Sequence, residues 1–370
     1  MKTTLLFLFG LMSTMITIPV TAQWRHTPTP NDTLQSVRVL GNGQVLFSIY
    51  APQAKKVQIA GDIQSGEQQP QFTKNDSGVW SAALQESRDG VYRYHFIVDG
   101  VNVYDPVSKL ANETTALATI VRNGDAFFMQ KRVPHGAIAR RYYYSETLAI
   151  TRRLQVWTPA GYERSTDKLP VLYLIHGGGD NDLAWPSIGC ACDILDNLYA
   201  EGKIKPMIVV MPNGTIQTRE MTEEVPLFTK DLVDNIIPFI ESNYRVLADK
   251  DHRAIAGLSM GGLETLDVGL NYYKLFGYQI VLSSGWFTTD KNVYSEKAVY
   301  LKKIAADYNK NVRCLYFTQG GPEDIAYNNC KEMLKLFDAA GIKYQYSEAP
   351  GGHTWYTWRN NLYDFAPKLF

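Results

Sequence analysis

Cysteine is scarce in this chain, with only Cys190, Cys192, Cys314 and Cys330 among 370 residues. No nearby histidine and no second close cysteine pair accompanies them, which argues against a structural metal cluster. Cys190 and Cys192 are too close in sequence to bridge each other comfortably. Buried thiols, or one bridge such as Cys314–Cys330, remain. An excess of charge is also missing. The 37 basic and 37 acidic side chains cancel, which excludes a surface built for nucleic acid or an anionic membrane. Internal repeats are absent. Long apolar runs are missing beyond residues 5–19, and that run is too short and wrongly flanked for a membrane anchor. Lys2 precedes it and Val20-Thr21-Ala22 follows it as a small-residue cleavage site. Residues 1–22 therefore read as a signal peptide. The mature chain is expected to start at Gln23 and to be exported to the periplasm or beyond. No cysteine follows the cleavage point, so neither a lipid anchor nor membrane insertion is expected.

What is present falls into two patterns. Residues 23–36 are polar with prolines and read as a tether. From residue 37 the chain turns to short strands, predicted at 37–40, 45–50, 56–60, 79–84 and 91–98, with a hairpin signal at Gly41-Asn42-Gly43. Such spacing implies a β-sandwich of roughly 100 residues. Residues 121–145 read as a connector. From residue 151, strands at 153–159, 169–175, 207–211, 279–283 and 312–317 alternate with helices at 192–201, 231–243 and 329–340. That alternation predicts an α/β fold with a doubly wound sheet. The expected division is a signal peptide at 1–22, a sandwich at 23–125 and an α/β domain at 126–370.

The chemistry gathers in the second domain. Ala256-Gly257-Leu258-Ser259-Met260-Gly261-Gly262 is a G-x-S-x-G stretch between an apolar strand and a helical pattern. This is the nucleophile elbow of an α/β-hydrolase, and its small residues let neighbouring backbone approach. A serine nucleophile needs a base, and the base needs an orienting acid, here in the chain order Ser, acid, His. Of six histidines only His353 lies beyond Ser259, in the Gly-rich loop Gly351-Gly352-His353-Thr354-Trp355. Between them, Asp324 and Glu323 both stand after a strand; Asp324 is the expected acid and Glu323 the reserve. The backbone N–H groups of Gly178, in His176-Gly177-Gly178-Gly179, and of Met260 are the expected oxyanion donors. His176 is expected to fix that loop. Trp185, Trp286 and Trp355 all follow parallel strands or their loops, and are expected to form an aryl pocket around Ser259.

Two stretches resemble known families. Tyr50-Ala51-Pro52, Val57-Gln58-Ile59-Ala60-Gly61-Asp62, Gly78-Val79-Trp80, Gly90-Val91-Tyr92-Arg93-Tyr94-His95-Phe96 and Asp99-Gly100 resemble early-set immunoglobulin-like modules grouped with family 48 carbohydrate-binding modules. That resemblance implies either glycan binding or a packing role. Leu174-Ile175-His176-Gly177-Gly178-Gly179-Asp180, the Ser259 stretch, Glu323-Asp324-Ile325-Ala326-Tyr327 and Pro350-Gly351-Gly352-His353-Thr354-Trp355 resemble the esterase D and feruloyl esterase group of carbohydrate esterase family 1. That resemblance implies hydrolysis of feruloyl or acetyl esters on xylan or its oligosaccharides. It implies a triad at Ser259, Asp324 and His353, and no cofactor or metal. The expected partner is an esterified plant cell-wall glycan. One departure is Gly189-Cys190-Ala191, where relatives often carry Gly-Arg-Ala. Alternatives are a siderophore esterase, which should need a basic pocket, and a non-catalytic glycan-binding protein.

Overall fold

The computed structural model describes residues 27–63, 70–85, 88–109, 111–112, 115–122, 124–216 and 221–370. The expected signal peptide and the start at Gln23 lie outside the described residues.

The first unit is two antiparallel sheets packed face to face. One pairs Val37–Val39, Val45–Tyr50, Val79–Leu84 and Thr73–Lys74. The other pairs Val57–Gly61, Gly90–Val98, Thr115–Ile120 and Ala111–Asn112. Alternation sends Val45, Phe47 and Ile49 inward from one sheet and Ile59, Tyr94 and Phe96 from the other. The Tyr94 ring stands edge-on to Phe47 at 5.2 Å, and its hydroxyl donates to the buried Asp105 carboxylate.

The second unit is one eight-stranded sheet: β1 (Ala137–Ser145), β2 (Ile150–Thr158), β3 (Val171–Ile175), β4 (Ile208–Pro212), β5 (Arg253–Leu258), β6 (Tyr278–Leu282), β7 (Cys314–Gln319) and β8 (Gln345–Glu348). Its spatial order is β1-β2-β4-β3-β5-β6-β7-β8. The first two strands are antiparallel to their neighbours and the rest are parallel. Every residue of β3, β4 and β5 is buried, as expected where helices cover both faces. Leu172, Leu174, Ala254, Ala256 and Ile280 face one helical layer, which contains α1 (Ala191–Ala200) and α7 (Trp355–Phe365). Val171, Tyr173, Ile175, Val210 and Ile255 face the other. This is an α/β-hydrolase sheet preceded by an all-β domain.

Three departures from the sequence reading have physical causes. The segment read as a connector contains β1, an edge strand exposed on one face, whose other face sets half-buried Arg141 beside buried Tyr143 and Ser145, so neither face is an apolar stripe. The helix expected at 231–243 follows α2 (Met221–Asp231) through a π-helical turn at Leu232–Ile236 into α3 (Ile237–Asn243). Pro238 cannot donate to the preceding turn, which favours the looser winding. All four cysteines are free. Cys314 packs towards the α1/α7 layer while Cys330 is buried on the other side of the sheet with Phe317 and Phe337, so the suggested bridge does not form.

Candidate active site

β5 ends at Leu258 and α4 (Met260–Asn271) begins two residues later. Ser259 takes the whole turn, at φ 53° and ψ −117°. Such a conformation is costly for a residue with a Cβ and persists only where its surroundings enforce it. They do so here: the Ser259 N–H donates to Leu282 O at 2.9 Å, and the Ser284 hydroxyl donates to Ser259 O at 2.6 Å. The flanking glycines are sterically required. A Cβ on Gly257 would sit 2.1 Å from Gly261 O, and one on Gly261 would sit 2.2 Å from His176 O.

His353 and Asp324 arrive from loops beyond β8 and β7. His353 Nε2 lies 2.9 Å from Ser259 Oγ, and its Nδ1 lies 2.8 Å from Asp324 Oδ1. Gly351 and Gly352 adopt φ of 126° and 64°, and the Gly352 N–H donates to Gly320 O at 2.8 Å, which fixes the base loop onto the acid loop. The Asp324 carboxylate is buried and also accepts from the N–H groups of Gly320 (3.0 Å) and Ala326 (2.9 Å). Burial pushes its carboxyl up, but the hydrogen bonds, led by that from His353, outweigh this and hold it below the usual range. Glu323, the reserve acid, is exposed and accepts from the Gly351 N–H at 3.2 Å. It braces the base loop and does not meet the imidazole.

Residues 145–369 match a family model described as a putative esterase, and residues 33–109 match carbohydrate-binding module 48, the isoamylase N-terminal domain. The chain belongs to this esterase family. An endo-1,4-beta-xylanase/feruloyl esterase of Xylanibacter ruminicola is 33% identical over 90% of the chain, and the chain spans 45% of that relative's length. The feruloyl esterase module of Clostridium thermocellum, solved with sinapinate, is 26% identical with a TM-score of 0.57, covering 66% of this chain and 92% of the module. The enterobactin esterase of Shigella flexneri shares the fold across both domains, with a TM-score of 0.62 over 88% of this chain and 92% of its own, at 17% identity.

In the esterase domain the Gly-rich loop after β3 lies against the elbow. A Cβ on Gly178 would stand 3.8 Å from the Met260 Cβ. Met260 opens α4, so its N–H has no acceptor within the helix. The two expected oxyanion donors are thus neighbours. His176 is fully buried, and burial depresses its basicity. Its Nδ1–H donates to Gly177 O (2.8 Å) and its Nε2 accepts from the Gly214 N–H (2.9 Å), a neutral imidazole that fixes the loop.

The packing corrects the expected aryl pocket at two of its three tryptophans. Trp185 is 1% exposed, with its indole N–H bonded to Ile175 O. Trp286 packs with Phe337 and Tyr294 on another part of the sheet. Both are core residues. Trp355 is 4% exposed and stands edge-on between Trp185 and Trp358. Trp358 in turn meets the His353 ring at 5.1 Å and 87°, so this indole stack supports the base.

Sequence reasoning missed the contribution of the sandwich. A cavity of about 460 Å³ opens beside His353, lined by Thr354, Trp355, Tyr356 and Trp358 on one side and by Asp62, Arg88, Tyr92 and Arg93 on the other. Arg93 holds Asp62 within the sandwich and Asp180 of the esterase loop, each at 2.7 Å. No local pattern signals such contacts. Elsewhere, His135, Asp193 and Asp196 cluster within 4.8 Å of one another. The Asp196 carboxylate there already accepts from Gly136 N–H and the Trp157 indole while facing His135 Nδ1, which suits a structural tie.

Proposed function

We propose that the chain is a serine carboxylic-ester hydrolase acting on feruloyl or acetyl decorations of plant cell-wall xylan or its oligosaccharides, exported by the segment at residues 1–22. The observation that carries this reading is the continuous chain of contacts from Ser259 Oγ through His353 to Asp324, inside the domain matched by the esterase family. In it, His353 takes the serine proton as Oγ attacks the ester carbonyl. Asp324 keeps Nδ1 protonated and supports the imidazolium. The N–H groups of Gly178 and Met260 receive the developing oxyanion. His353 then returns the proton to the leaving sugar oxygen, and water resolves the acyl-enzyme by the reverse sequence. No step calls for a metal or cofactor. The xylan assignment rests on the xylanase and feruloyl esterase activities named for the relatives. The division at 23–125 and 126–370 belongs to the same proposal. Among the described residues no helix is long and apolar enough to cross a membrane.

The test is hydrolysis of methyl ferulate and of acetylated xylo-oligosaccharide by the full chain. Ser259→Ala is expected to lower kcat by roughly 10⁴-fold or more with an unchanged melting temperature. A Ser259→Ala protein with wild-type turnover defeats the proposal. The siderophore alternative called for a basic pocket. Arg88, Arg93 and Arg359 do line the cavity, but Asp62 and Asp180 pair with Arg93 and the carboxylate of Glu323 is stabilised in part by Arg88. The lining itself holds three arginines and one carboxylate, Asp62, with Asp180 and Glu323 just outside it; the sugar-ester reading is preferred on the activities named for the relatives.

A further inference from the structure

His353 has two duties, and the second locates the leaving group. After the acyl-enzyme forms, the imidazolium must hand its proton to the departing alkoxide, which therefore lies against the imidazole. The cavity beside His353 is bounded by the base loop and α7, and neither Ser259, Gly178 nor Met260 lines it. An alcohol departing against the imidazole would enter it. Its far wall is the sandwich.

We infer that Asp62, Arg88, Tyr92 and Arg93 of the sandwich, facing Tyr356 across the cavity, form the subsite for the sugar from which the acyl group is removed. This inference rests on the ester-hydrolase reading above. At about 460 Å³ the cavity falls in the range of ligand pockets, roughly 300–1,000 Å³. The wall is preorganised. Arg93 binds the Asp62 carboxylate through Nε (2.7 Å) and Nη2 (3.2 Å) and reaches Asp180 with Nη1. The Arg88 guanidinium lies 4.9 Å over the Tyr356 ring, and the Tyr92 hydroxyl donates to Arg88 O at 2.8 Å. A Cβ on Gly351 would come within 3.1 Å of Arg88 Nη1, so Arg88 touches the base loop itself. Behind the wall, the buried Arg359 of α7 donates to Val91 O of the sandwich (3.3 Å) and to Ile188 O of the esterase domain (2.7 Å), binding the two walls together.

The chemistry of this wall suits a neutral sugar. Sugar hydroxyls donate and accept at once, and paired guanidinium and carboxylate groups offer both functions in fixed planes. Aromatic rings with polar edges complete such a surface. Among the lining arginines, Arg93 is paired with Asp62 and with Asp180 outside the cavity, and Arg88 stands near Glu323, so two of the three are already engaged by carboxylates. The sandwich thus acts as part of the catalytic cleft, in addition to any glycan surface elsewhere on it.

Two measurements on the full chain test this. The first compares kcat/KM for methyl ferulate with that for a feruloylated arabinosyl-xylobiose, in the wild type, Arg88→Ala and Arg88→Lys. The ratio of sugar ester to methyl ester is expected to fall about tenfold or more in Arg88→Ala and to recover partly in Arg88→Lys. A ratio within about twofold of wild type, or an equal loss on both esters, overturns the inference. The second is calorimetric binding of the ester-free arabinosyl-xylobiose to Ser259→Ala, with and without Arg88→Ala. Affinity is expected to drop about tenfold with the added substitution; equal affinities overturn the inference. A wild type inactive on both esters would defeat the proposed activity, while the calorimetry would still decide the subsite.

Discussion

At the residue scale, the assignment of the acid depends on one position in sequence. Asp324 is buried and holds three partners, the N–H groups of Gly320 and Ala326 and the imidazole of His353, whereas Glu323 points to the Gly351 N–H. Asp324→Asn keeps the shape but presents an amide to His353 Nδ1, favouring the wrong tautomer. It is expected to lower kcat for methyl ferulate by roughly 10³- to 10⁴-fold, and Glu323→Gln is expected to cost far less. The reverse ranking would move the acid by one residue. Trp355 packs edge-on against Trp358, which meets the His353 ring, and also lines the cavity beside His353.

At the element scale, α4 must start hard against two strands, and Gly261 and Gly262 of its first turn are small for that reason. One turn further on, Glu264 is fully buried, and neither carboxyl oxygen has a partner among the described residues. Burial first, and the charge of Glu224 second, push its carboxyl well above the usual range. In the unfolded chain the group ionises near about 4.3. The folded protein keeps the proton, so its stability falls as pH rises through that value and towards the raised one. Glu264→Gln removes this titration. The melting-temperature difference between variant and wild type is expected to shift in the variant's favour from about pH 4 to about pH 8. A difference that stays flat over that range contradicts a buried, protonated Glu264.

At the scale of the whole molecule, the two domains share a core and a cleft. Val91 and Leu117 of the sandwich belong to the same buried cluster as Trp185, Trp358 and Leu362. Arg93 ties the sandwich to Asp180, one residue beyond the glycines that adjoin the elbow. Asp180 has only 10% of its side chain exposed, and removing its partner strands a nearly buried carboxylate. Arg93→Ala is therefore expected to lower kcat for methyl ferulate about tenfold, although Arg93 is far in sequence from the triad. An unchanged kcat would mean that the loop holds its shape without the sandwich. The residues expected to do the chemistry all lie in the second domain, as their motifs suggested, and the cavity lining adds the sandwich as a wall beside them.

The sequence by itself determined what depends on local spacing. Period-two alternation marked the sandwich strands at 56–60 and 91–98, and turn residues marked those at 45–50 and 79–84. Continuous apolar runs marked β3 and β4, and the G-x-S-x-G stretch with the later Gly-Gly-His loop marked Ser259 and His353. These are legible because backbone period and turn chemistry are written over a few neighbouring residues. Edge strand β1 escaped because its faces are not sorted into apolar and polar. The helix Lys291–Asn311, with few buried positions along 21 residues, and α7, crowded with aromatics, escaped for similar reasons. Tertiary structure alone decided which tryptophans are core, which of two adjacent acids meets the base, and that Arg359 bonds to Val91 across 268 residues. Contacts of that separation come from how whole elements pack, and no short stretch of sequence encodes them.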